Sequence, residues 1–89
     1  MLTLPAVLTH AQALETARGL KAQMVSQVAA VVLDATALVQ FDSSVLAVML
    51  ACRREAMAAG KSFSVHGLPA RLSQLAGLYG VAELVPSAT

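Results

Sequence analysis

The chain has 89 residues, 57% of them hydrophobic and 12% charged, with a formal charge of +1 and a single cysteine. That length makes one domain, 1–89, with a core that is real but marginal. The charge balance excludes phosphate-backbone binding, which needs clustered Lys and Arg, so nucleic acid is not expected as a partner. One cysteine excludes an internal disulfide and suits a reducing compartment.

No uninterrupted apolar run approaches the roughly 20 residues of a membrane span, so direct membrane insertion is not expected. The opening MLTLPAVLTHAQ lacks a basic segment and a small-residue cleavage site, so no signal peptide is expected and the cytoplasm is the expected location. So few charges leave apolar surface for a partner to cover.

Residues 2–8 read as a strand, with Pro5 marking an edge or a bend. Thr9 followed by Gln12 fits a capping box and opens a helix over about 10–26. Leu14, Ala17, Leu20 and Met24 give this helix a moderate apolar stripe, and Gly19 weakens it by roughly 1 kcal/mol relative to Ala. Gln27 to Leu33 is a central strand. Its run Val31–Val32–Leu33 is stopped by Asp34 and suits burial on both faces. Ala35 to Phe41 is a crossover.

Asp42, Ser43 and Ser44 are good helix N-caps, because short side-chain oxygens accept the open N–H groups of a first turn. The helix they start runs from Ser44 to about Ala59 and stops at Gly60. Ser62–Val65 alternates polar and apolar as a strand, ended by His66–Gly67. A last helix begins at Leu68–Pro69, carries Leu72, Leu75, Ala76 and Tyr79, and closes at Gly80. Val81–Val85 is a short turn or edge strand, and Pro86–Thr89 is a tail. Strands alternating with helices predict an α/β domain, a mixed or largely parallel sheet of about four strands with about three helices.

At about 100° per residue the helix after Ser44 divides in two. Leu46, Met49, Leu50, Ala56 and Met57 are expected to face the sheet. Ala47, Val48, Ala51, Arg54, Glu55 and Ala58 form the other side, whose first two turns are uncharged and small. One reading is that Ala is simply a good helix former. The other is that small side chains admit another backbone, with Arg54 and Glu55 at the rim.

No catalytic group assembles. Asp34 and Asp42 are too isolated for acid–base work, and a hydroxyl with Asp42 makes too few ligands for a metal. Cys52 reads as a small core residue. His10 and His66 each have a cap or turn explanation. Gly60–Lys61–Ser62 lacks the first Gly of a phosphate loop and follows a helix rather than preceding one. No cofactor is expected.

The strand ending in Asp34, the run Phe41–Asp42–Ser43–Ser44, and the helix with Leu46, Leu50 and Arg54 ending at Gly60 resemble a STAS domain. The stretch LSQLAGLYGVAELVP, Leu72 to Pro86, resembles the MlaB-like branch of that family, the STAS subunits of a bacterial phospholipid ABC transporter that maintains outer-membrane lipid asymmetry. Val45 stands where anti-sigma factor antagonists of the family usually have Gly. The resemblance implies a STAS fold and a non-enzymatic subunit. Its implied partner is the transporter's MlaF-like ATPase, itself bound to a membrane permease, so the chain would lie on the inner face of the inner membrane through that partner. It also implies a partner-binding surface of Asp42, Ser43, Ser44, Ala47, Val48, Ala51, Arg54 and Glu55. Ser43 is then a contact or a phosphorylation site, against its plainer reading as a helix cap. The alternative the family offers is an anti-sigma factor antagonist switched by phosphorylation of Ser43.

Overall fold

Pro5 decides how the chain begins. Having no N–H to donate, it splits the expected strand into β1 (Leu2–Thr3) and β2 (Val7–Leu8) in the computed structural model, which describes residues 1–87. β3 (Ala30–Asp34) lies between β1 and β5 (Ser62–His66), and β2 pairs with β4 (Gln40–Phe41). All these pairings are parallel, an arrangement that helical crossovers make possible. The expected α/β class holds, at the parallel end of what alternation allowed. The strands number five because Pro5 divides the first and because the two-residue β4 sits inside the stretch expected as crossover.

The two sheets are parts of one bent ribbon. The Leu4 N–H donates to the Asp34 carbonyl at 2.9 Å, and the N–H groups of Val39 and Gln40 converge on the Ala6 carbonyl at 2.8 and 3.0 Å. Between these bonds residues 35–38 loop out, and Ala35 and Leu38 turn back into the core.

The register sets Leu33 between Leu2 and Val65, and Val31 beside Phe63, and all five are buried. Burying a side chain of this size stabilises by about 1.5–3 kcal/mol. Helices α1 (His10–Met24) and α2 (Ser44–Ala58) pack side by side over this sheet, and α3 (Ala70–Leu78) follows β5.

Boundaries moved where local bonds compete. α1 ends at Met24 rather than Ser26, because the Ser26 and Gln27 N–H groups fold back on the carbonyls of Gln23 and Met24. The Lys61 ammonium also donates to the Met24 carbonyl at 2.8 Å, a cation at the negative end of the helix. β3 therefore starts at Ala30, and Val28, expected in the strand, is 91% exposed. Tyr79, expected on the apolar stripe of the last helix, lies just past the end of α3 and is 60% exposed, while Leu72 and Ala76 are buried.

Gly60 ends α2 with φ +73°. Gly67 has φ +69°, and a Cβ there would overlap the Thr36 methyl group, so the β5–α3 turn admits only glycine. The expected turn at 81–85 is a 3-10 turn, Ala82–Leu84. Pro86, the start of the expected tail, accepts the Val65 N–H at 2.8 Å, and Ser87 bridges Val65 in parallel, so this segment lies along β5. Residues 88–89 of that tail lie outside the described residues.

Candidate partner-binding surface

β2 and β4 run parallel and each leads directly into a helix, so the N-termini of α1 and α2 emerge side by side. Asp42 sits between them. Its Oδ1 accepts the Ser44 N–H at 2.8 Å and its Oδ2 accepts the His10 N–H at 3.1 Å. One carboxylate therefore caps two helices, where both dipoles favour negative charge. The hydrogen bond from the Ser44 backbone, then that from His10, hold its pKa below the usual carboxylate value. At α1 the expected Thr9–Gln12 pair forms: the Thr9 N–H and hydroxyl both donate to Gln12 Oε1, at 2.9 and 2.7 Å.

Because Asp42 takes the capping work, Ser43 does none. Its side chain makes no cap bond, is exposed, and has no hydrogen-bond partner among the described residues. Ser44 behind it is half-buried and gives its N–H to Asp42. Of the three candidate caps, the structure uses the acid and leaves the first serine facing solvent.

The division of α2 differs from the expected one. Its buried line is Val45, Met49, Cys52 and Ala56, flanked by Leu46 and Val48. Val48, expected on the partner side, is only 3% exposed, and Met57, expected on the sheet, is 55% exposed. Leu46, Met49 and Ala56 lie on the sheet side as expected and Cys52 is in the core, while Leu50, expected on the sheet, is only half-buried. The outward stripe is Ser43, Ala47, Arg54 and Ala58, with Leu50 half-buried at its edge.

Ala51 and Glu55 turn toward α1. With Ala17, Arg18, Met24 and Cys52 they line a cleft of about 180 Å³. A second hollow of about 140 Å³ continues toward the helix C-termini, past Val25 and Ala59. The Lys21 ammonium lies 3.5 Å from the Glu55 carboxylate across the groove, both well exposed; a pair of this kind contributes about 0–1 kcal/mol. The expected partner surface thus divides. Asp42, Ser43, Ser44 and Ala47 stay together at one end of α2, Arg54 edges both regions, Ala51 and Glu55 belong to the groove, and Val48 leaves the surface.

Two contacts escaped sequence reasoning. The His10–Asp42 bond joins residues far apart in the chain, and nothing in the spacing announces it. The Arg71 guanidinium lies 5.9 Å from the Phe41 ring centroid and ties the start of α3 to β4. Asp34 closes its own turn, accepting the Thr36 N–H at 3.0 Å and hydroxyl at 2.6 Å, which lower its pKa. Burial, with Glu55 adding to it, pushes the Cys52 thiol up to about 11, so it is protonated at neutral pH. Among the described residues no group of three or more His, Cys, Asp or Glu is placed to hold a metal ion, and no helix is long and apolar enough to cross a membrane.

Set against known proteins, residues 1–86 match the family model described as Mlab, STAS domain. Comparison with curated proteins gives no match.

Proposed function

The chain belongs to the MlaB-type STAS-domain family, and from that premise we propose that it is a non-enzymatic subunit binding the ATPase of a phospholipid ABC transporter. In this reading it sits in the cytoplasm, held to the inner face of the inner membrane through that ATPase and its permease, and serves outer-membrane lipid asymmetry. ATP hydrolysis belongs to the partner. The observation that carries the reading is the exposed, uncommitted Ser43 hydroxyl at the head of an outward stripe whose next residue is Ala47. A side chain that does no structural work, on a rigidly capped helix start, suits contact with another protein. Asp42 fixes the geometry from behind, Ser43 and Ala47 meet the partner, and Arg54 lies at the rim.

The test is calorimetric titration of the chain into the ATPase subunit encoded with its transporter. Ser43→Asp is expected to weaken binding well beyond Ser43→Ala, because it sets a second carboxylate beside Asp42 in a contact that excludes water. Equal binding by both variants, with folds intact, contradicts a contact at Ser43. The free Ser43 hydroxyl also favours a second reading, an anti-sigma factor antagonist switched by phosphorylation. A phosphate adds about −1.5 to −2 charge and is well placed at a helix N-terminus. Phosphorylation of Ser43 by a kinase encoded beside a sigma factor, with no affinity for a transporter ATPase, would select it.

A further inference from the structure

α1 and α2 run parallel from their shared cap, with Ala17 and Ala51 lining one cleft and Lys21 reaching Glu55. Each helix has 15 residues, a length of about 22 Å. The floor of the groove between them is apolar: Met24 and Cys52 are buried, and Ala17 and Ala51 are half-buried. Its sides are not. Four of the chain's six cationic side chains, Arg18, Lys21, Arg54 and Lys61, line its two hollows, against Glu55 alone of five acidic ones. Arg18 and Arg54 have no ion-pair partner among the described residues. A chain of net charge +1 thus gathers most of its positive charge along one apolar channel.

We infer that the α1–α2 groove is a second docking surface, which takes an acidic amphipathic helix of a protein partner. Ala17 from α1 and Ala51 from α2, small residues in the floor, let a third helix approach to the packing distance of about 8–10 Å. Hollows of about 180 and 140 Å³ each accept a bulky aliphatic side chain, and the cationic rim meets carboxylates flanking those anchors. The exposed Lys21–Glu55 pair opens readily, freeing Lys21 for an incoming acid. A bilayer is the poorer occupant, since the buried Met24 and Cys52 are flanked by the exposed cations Arg18, Lys21 and Arg54. This surface shares only Arg54 with the outward stripe that begins at Ser43 and Ala47, and its α1 side plays no part in the proposed ATPase contact.

A displayed library of random 15-residue peptides, selected on the immobilised chain, tests the inference. Winners are expected to carry an excess of Asp and Glu around apolar residues at helical spacing. Synthesised and titrated by fluorescence anisotropy, they are expected to bind at least about tenfold more weakly to Arg18→Glu and to Ala17→Leu, which fills the channel without touching a charge. Binding should fall in 1 M salt, where screening acts within about 3 Å, and should survive Ala47→Glu. Winners without acidic excess, or binding indifferent to both groove variants with their melts unchanged, overturn it. So does Arg18-dependent binding to phosphatidylglycerol vesicles with no peptide selected, which would make the groove a membrane surface.

Discussion

Asp42 is the residue on which the surface depends. It satisfies one backbone donor on each of two helices, so its loss unties both starts at once. Asp42→Ala is therefore expected to lower the melting temperature clearly, whereas Ser43→Ala, on a side chain that bonds nothing, stays within about 0.5 kcal/mol of the parent. Comparable losses from both variants would mean that Ser43 shares the capping. The pH dependence follows from the same bonds. The folded pKa of Asp42 is depressed, so its contribution is present above the unfolded value of about 3.9 and is lost as the pH falls through the folded one. Melting temperature is expected to drop below that value, and to drop less steeply in Asp42→Asn; Asp34, also depressed, supplies part of the remaining slope. Parallel melts of parent and variant from pH 5 to about 2 check this, and identical slopes would contradict it. Sequence reasoning found the Asp–Ser–Ser cap and did not find which member does the capping, because the deciding bond comes from His10 on another element.

At the scale of elements, α2 shows what periodicity reveals and what it hides. Its limits, its cap and its stop at Gly60 were legible, since each is a local signal. The rotation of its faces was not. Leu46, Met49, Cys52 and Ala56 are buried as expected, but Val48 and Met57 exchange sides, because the buried line Val45–Met49–Cys52–Ala56 brings Val48 closer to the core than Met57. Val48→Ala is accordingly expected to cost about 2 kcal/mol, lowering the melting temperature by roughly 10 °C in a domain of this size. Ala47→Glu, one residue away and outward, is expected to leave the melt within about 0.5 kcal/mol and to abolish ATPase binding. Met57→Lys is expected to leave folding unchanged. If Val48→Ala is neutral while Met57→Lys unfolds the chain, the faces are assigned wrongly. β4 was hidden for the opposite reason: two residues held by Val7 and Leu8 have no periodicity of their own.

The whole molecule pairs a small core with a surface poor in charge. Alternation of apolar runs and capped helices gave the α/β class directly, and the crossovers make the parallel pairing possible. The break at Pro5 and the bent ribbon depend on pairing partners distant in the chain. A domain of this size, with 12% charged residues and exposed Val28, Leu78 and Met57, is expected to melt at a higher temperature with the proposed ATPase partner present, as ligand bound only to the folded state raises stability by mass action. A melting temperature unchanged at saturating ATPase would contradict this.

In the proposed function, the double cap at Asp42 holds Ser43 and the outward stripe of α2 ready for an ATPase partner. The most direct test is the ¹H–¹⁵N spectrum of isotope-labelled chain titrated with unlabelled ATPase subunit. Perturbation or line broadening is expected to centre on Ser43, Ala47, Leu50 and Arg54, with the Thr36–Gly67 turn and α3 left largely unmoved. Perturbations centred on α3 and the 82–84 turn, with Ser43 and Ala47 unshifted, would contradict it.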